Sequence, residues 1–217
     1  MKLGFCIIML SILFTGCVST KNVKIPENEF IQMKGKTIVT TVSEKPDFAA
    51  MTAGKAMFAM VGAAAMIYEG NQIIKNNNVQ DPANYIGEKL ATELSAKNSL
   101  NISSINNIES SDGIDELSNK YSDKDYILDV RTINWSFAYF PTDWDNYRVI
   151  YSVKLRLIDT KNSNLIAEGF CSNVPDQTEN SPSHDELLAN DAQRLKNELQ
   201  LSADKCLSQF NKEIFSL

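Results

Sequence analysis

Apolar and polar positions alternate with a period of two through the middle of the chain. Val149, Tyr151, Val153, Leu155 and Leu157 interleave with Ser152, Lys154 and Arg156, the pattern of a strand with one buried face. The stretch from Tyr126 to Phe140 alternates too, with Ile133, Trp135, Phe137 and Tyr139 in one phase. Leu128 and Val130 fall in the other phase, which predicts a bulge or two-sided burial near Arg131. Pro141–Asn146 and Thr160–Asn164 are turn segments, and Leu165–Cys171 is a third apolar strand. Together they predict a three-stranded antiparallel meander. The period then changes to that of a helix. Ser183 with Glu186 forms a capping box, and Leu188, Leu195, Leu199, Ala203, Cys206 and Phe210 share one stripe.

The first half reads less regularly. Lys36–Val42 is β-branched and predicts a strand that Pro46 closes. Asp81-Pro82 is a helix start, because Asp accepts from orphan N–H groups and Pro fits the first helical position. That helix carries Tyr85, Ile86, Leu90 and Leu94 on one face to about Lys97. Asn101–Ile108 predicts a short strand and Ile114–Tyr121 a short helix. The expected fold class is α+β: an antiparallel or mixed sheet ending in the meander, packed by helices that include a long C-terminal one.

One segment resists this pattern. From Ala49 to Tyr68 nearly every residue is Ala, Met, Gly or another apolar type, Lys55 is the only basic residue, and Gly54, Gly62 and Gly70 recur at regular spacing. As one helix, residues 49–68 span about 30 Å. Small residues allow close helix contacts in membranes, so Gly54, Phe58, Gly62 and Met66 are candidate membrane or oligomer contacts. Against that, Ala and Gly are weakly hydrophobic and a lone Lys is costly in a bilayer. Packing on the sheet, as a helix or helical hairpin, is the favoured expectation. The same run contains Gly54-Lys55, yet a phosphate-binding loop needs Gly at 49 and Ser or Thr at 56, where Ala stands at both.

The N-terminus changes the picture more than any other segment. Lys2 precedes an apolar run from Leu3 to Phe14, which is short against the roughly 20 apolar residues of a membrane span. Leu13-Phe14-Thr15-Gly16-Cys17 resembles the cleavage site of a bacterial lipoprotein signal. That resemblance implies a signal peptide over 1–16, acylation of Cys17 (palmitate among the chains), a flexible tether over 17–33 and one domain over 34–217. Several acyl chains would hold the protein stably on a membrane. Val18, rather than Asp, implies the periplasmic face of the outer membrane.

The net charge of −6, from 21 Lys+Arg against 27 Asp+Glu, offers no footprint for nucleic acid and no overall attraction to anionic lipid. With Cys6 in the signal and Cys17 acylated, Cys171 and Cys206 remain. An even pair in an oxidising compartment predicts a disulfide. Free thiols or metal ligands are the competing readings, and metal is poorly supported because His184 is the one histidine and no C-x-x-C occurs. No catalytic motif appears, so neither a catalytic residue nor a cofactor is assigned. The turn between the first two meander strands is the candidate partner-binding surface. Phe140, Asp143, Trp144, Asp145, Tyr147 and Arg148 supply the aromatic and Arg types over-represented at interface hot spots. The competing expectation has Trp144 folded back onto the core. Asp143 and Asp145 begin like a calcium loop but lack its later ligands.

Beyond the signal, the order Tyr126–Val130, two turns, Leu155–Thr160, Ile166–Gly169 and a final helix is similar to the auxiliary lipoproteins of ABC-type transporters and to curli-secretion-type lipoproteins. Residues 45–56 and 139–151 resemble an uncharacterised family of bacterial lipoproteins. That resemblance brings no known activity; the lipoprotein signal, the sheet-plus-helix pattern, the acidic charge and the missing catalytic motifs together point to a non-catalytic binding or assembly component of a cell-envelope complex, with an envelope protein partner or further copies of itself. The alternatives are an oligomeric pore or export subunit that uses residues 49–74 in the membrane, and, less favoured, an envelope hydrolase.

Overall fold

A computed structural model describes residues 21–217; the expected signal peptide and Cys17 lie outside the described residues. Six strands form one mixed sheet: β1 (Thr37–Ser43), β2 (Ala49–Met51), β3 (Asn101–Glu109), β4 (Tyr126–Phe140), β5 (Asp143–Asp159) and β6 (Asn164–Asn173). Their order is β3-β1-β4-β5-β6, with β2 added to β4. The predicted meander is present: β4 pairs antiparallel with β5, and β5 with β6. The irregularity expected near Arg131 is a register shift between Thr132 and Asn134. It leaves Ile133 half-exposed and turns Trp135 and Phe137 to the same core that Leu128 and Val130 enter. One extra residue thus reconciles the two phases seen in the sequence.

The other edge of β4 is divided. β1 pairs with its start, Tyr126–Leu128, and β2 with its end, Ser136–Ala138, both parallel. Between them the chain leaves the sheet over Glu44–Phe48, and the Trp135 Nε1–H donates to the Pro46 carbonyl at 2.8 Å. The run from Ala49 therefore begins as a strand, not as helix. Its helical parts are α2 (Ala53–Ala56) and α3 (Ala59–Asn76).

α3, α4 (Pro82–Asn98) and α6 (His184–Phe210) cover one face of the sheet. Ile86, Leu90 and Leu94 of α4 meet Leu195, Leu199 and Phe210 of α6 in the main core. Asp81 caps α4 by accepting from the Ala83 N–H at 2.9 Å, and the Ser183–Glu186 capping box opens α6. α6 is not one uninterrupted helix. Ala189 is extended, and Asn190, Asp191 and Ala192 are left-handed with φ of 52°, 56° and 56°. The break shifts the apolar register, so Leu187 rather than Leu188 is fully buried before it. Cys171 on β6 and Cys206 on α6 are joined by a disulfide, with Cα atoms 5.5 Å apart.

α5 (Ile114–Lys120) lies on the opposite face, over Val39, Ile127 and Ile158. Beside it Asp129 is buried. It accepts from Thr41 Oγ1 at 2.6 Å, from Arg131 Nε at 2.9 Å and from Arg156 Nη2 at 2.7 Å. The two guanidinium groups also donate to the Ser111 and Asp112 carbonyls, which pins the loop before α5.

The segment expected as a tether is bound to the domain from Asn22 onward. Val23 exchanges backbone hydrogen bonds with Glu168 on the outer edge of β6, at 2.7 and 3.1 Å. Ile25 and Met33 are buried, and α1 (Glu27–Gln32) packs Phe30 against the main core. Apolar Val23, Ile25, Phe30 and Met33, spaced among polar residues without a clear period, supply that docking.

Candidate functional site

The two sequence-derived candidate surfaces lie toward the same end of the sheet. β2 runs parallel to β4 and its last residue, Met51, is level with Ala138, two residues before the end of β4. α2 therefore follows where β4 approaches the 140–143 turn. α3 then runs back along β2, and its glycines fix how closely. Gly70 lies against the backbone of Phe48 and Ala50, and a Cβ there would meet the Phe48 carbonyl oxygen at 2.0 Å. Gly62 is equally close to the Lys55 carbonyl. Met66 is buried on the same inward side. Gly62 and Met66 thus pack within the domain, and Gly54 has open space around it.

The outward side of this segment is apolar and bare. Met57 is 76% exposed, Phe58 70%, Val61 78% and Tyr68 71%. Its one ion pair joins Lys55 to Glu69, so the charges cancel within the segment. Of the four candidate contacts, Phe58 alone presents a large side chain outward. No helix among the described residues is long and apolar enough to cross a membrane.

The turn divides in the same way. Phe140 and Tyr147 are buried, and Tyr147 packs edge-on against Phe137 at 5.7 Å. Asp143 shapes the turn, accepting from Asn146 Nδ2 at 2.6 Å, from Gln177 Nε2 at 2.7 Å and from the Asp145 N–H at 3.2 Å. These bonds hold its carboxyl below the usual carboxylate range, the Asn146 bond foremost. Arg148 lies over the Phe140 ring at 5.3 Å. Trp144 is 60% exposed: its Nε1–H reaches the Pro141 carbonyl and its ring stands edge-on to Tyr139 at 6.5 Å, beside exposed Asp145. Trp144 does not fold back onto the core.

A third feature had no signal in the sequence. Where β1 leaves β4, a cleft of about 690 Å³ opens between Lys45, Lys75, Asn84 and Trp135, with Asp81 in its wall. Asp81 Oδ1 accepts from the Ala83 N–H and from Thr132 Oγ1, and Thr132 is also 3.1 Å from the Tyr151 hydroxyl. Burial pushes the Asp81 carboxyl up and the Tyr151 hydroxyl well above its usual range. The cap was legible in Asp81-Pro82. Its junction with Thr132 and Tyr151 depends on the bulge in β4, which no local pattern locates in space. No cluster of three His, Cys, Asp or Glu able to hold a metal occurs among the described residues.

The fold defines a class, the α+β domain with one mixed sheet, helices on both faces and a C-terminal helix stapled to the sheet. No family model matches the chain, and no curated protein matches its sequence. Solved structures do. The chain is similar to the hypothetical protein CT253 from Chlamydia trachomatis, at 10% identity, over 84% of this chain and 100% of that one, with a TM-score of 0.41. It is similar to a PelC dodecamer from Paraburkholderia phytofirmans, at 12% identity, over 85% and 95%, with a TM-score of 0.33. It is also similar to lipoprotein GNA1162 from Neisseria meningitidis, at 13% identity, over 81% and 99%, with a TM-score of 0.31. Likeness at this level brings no role to any residue of this chain.

Proposed function

We propose that this protein is a lipid-anchored, non-catalytic binding or assembly component of a bacterial cell envelope, held by acyl chains on Cys17. The observation that carries the reading is the bare surface of Met57, Phe58, Val61 and Tyr68, with Trp144 toward the same end of the sheet. Exposed large apolar side chains gathered on one segment of a charged domain mark an interaction surface. The disulfide between Cys171 and Cys206 fits an oxidising compartment. Aromatic and Met side chains are the types enriched at interface cores. The partner is a second envelope protein or a further copy of this chain.

The test is gentle detergent extraction followed by mass measurement of the intact complex and identification of what co-purifies. Wild type is expected as a complex, and Phe58→Asp is expected to release the partner while the domain stays folded. A wild-type monomer, or a complex unchanged by Phe58→Asp and Trp144→Ala, overturns the reading.

A further inference from the structure

The lysines of this acidic chain are not equally occupied. Lys36, Lys55, Lys120, Lys124, Lys154 and Lys161 each pair with a carboxylate. Several others form no ion pair among the described residues, and two of these, Lys24 and Lys97, line one groove of about 490 Å³ beside the N-terminal arm. Ile25, Phe30 and Phe215 are its apolar wall, and Glu27 lines it beside the two lysines, leaving the lining with a net charge of +1. Lys97 is held in place: its Nζ donates to the Ser216 carbonyl at 2.8 Å and sits 5.6 Å from the centre of the Phe30 ring. Part of its donor capacity remains open to the groove. The neighbouring arm, α1, β6 and the chain end display Ile31, Leu165, Leu217 and Val23, between 36% and 64% exposed.

The arm itself decides what meets this surface. Asn22 and Val23 are pinned to β6, with the Phe170 N–H donating to Asn22 Oδ1 at 2.8 Å. Lys24 is seven residue steps from Cys17, and seven extended steps reach at most about 25 Å. A lipid on Cys17 therefore keeps the groove close to the bilayer surface, a consequence that rests on the anchoring reading above. We propose that the groove seats the phosphate headgroup of an anionic phospholipid between Lys24 and Lys97, with the half-exposed apolar residues turned to the acyl region. The net negative charge of the whole chain does not oppose this. Only charges within a Debye length, about 8–10 Å, act on a headgroup at physiological salt.

The test uses the acylated protein in vesicles, with an amine-reactive reagent read out by mass for each lysine. Vesicles are pure phosphatidylcholine, or phosphatidylcholine with about one-third phosphatidylglycerol. In the anionic vesicles Lys24 and Lys97 are expected to label roughly fivefold more slowly, as one headgroup contact per lysine implies. Lys75 in the other cleft is expected to label alike in both. The protection should vanish in high salt, and Lys24→Gln should remove most of it from Lys97 without changing the fold seen by circular dichroism. Equal labelling of Lys24 and Lys97 in the two vesicles overturns the proposal. Failure of anchoring is a separate result: the protein then carries no acyl mass. A non-acylated product that sediments with anionic but not neutral vesicles still supports the headgroup site.

Discussion

Replacing Gly70 by Ala tests whether the Ala/Gly run is packed on the sheet. An added Cβ would lie 2.0 Å from the Phe48 oxygen, 2.8 Å from its carbonyl carbon and 3.0 Å from the Ala50 nitrogen. An unstrained carbon–oxygen contact is about 3.3 Å, so α3 must withdraw by roughly 1.3 Å. Every atom met is backbone, and Ala50 is held in β2 against Phe137 of β4, so no side chain can swing aside. An approach of 2.0 Å to fixed backbone belongs at the upper end of overpacking costs, about 3 kcal/mol. Ala offsets about 1 kcal/mol of it through helix propensity. A net loss of about 2 kcal/mol is expected, or roughly 4–8 °C in Tm for a domain of this size. Gly54→Ala is the control, because nothing lies within 4 Å of its added Cβ. It should leave stability unchanged or raise it by up to about 1 kcal/mol. Thermal and urea melts followed by circular dichroism give both values. If Gly70→Ala melts at or above wild type, α3 is not seated on β2 and the run must be placed elsewhere.

The disulfide should appear as a mature mass lower by two hydrogens than the reduced chain. Cys171→Ser with Cys206→Ser should cost about 4 kcal/mol in urea melts, from closing a 35-residue loop, and a loss below about 1 kcal/mol would refute the staple. Asp191→Gly should stabilise by about 1 kcal/mol, since a left-handed non-glycine residue costs about 1–2 kcal/mol and this one is exposed. A lower Tm would mean that the αL turn in α6 is misplaced. Asp125 accepts from Lys161 Nζ at 2.7 Å and from the Thr37 N–H and Oγ1 at 2.9 Å, which lower its carboxyl to about 2. A lowered pKa stabilises the fold above the unfolded value near 4 and is lost as pH falls toward 2. Asp125→Asn should flatten stability over that window, measured by urea midpoints at each pH.

What the sequence displayed was whatever a local pattern can carry. The meander was legible because its alternation spans three strands, and the caps of α4 and α6 because Asp81-Pro82 and Ser183–Glu186 are short-range chemistry. β2 was not. Three residues at the start of an Ala-rich run become a strand only because β4 extends past β1 and offers them an edge, and that length is set some eighty residues further on. The turn in α6 escaped because the capping box before it and the apolar stripe after it read as one helix, although Asn190-Asp191 is itself turn chemistry. The candidate turn was half legible. Residue types drew attention to Phe140, Trp144 and Tyr147 alike, yet alternation along β4 and β5 buries the first and last and leaves Trp144 outside. The cleft around Asp81 and the Asp129–Arg156 pair join residues far apart in the chain, for which a single sequence holds no record.

The N-terminal arm has a consequence for how many neighbours the sheet can accept. A sheet has two outer edges, and an open edge is a template for another chain. Here Val23 occupies the middle of the β6 edge, Gly70 of α3 lies against the backbone of the short β2 at Ala50, and among the described residues β3 pairs with β1 alone. Among the described residues the sheet thus offers one long unpaired edge. Two copies joined at β3 would close on each other by a two-fold axis and leave no second edge to extend. Indefinite strand-by-strand growth would first require the arm to detach, so the few residues of the arm limit association through the sheet to a pair.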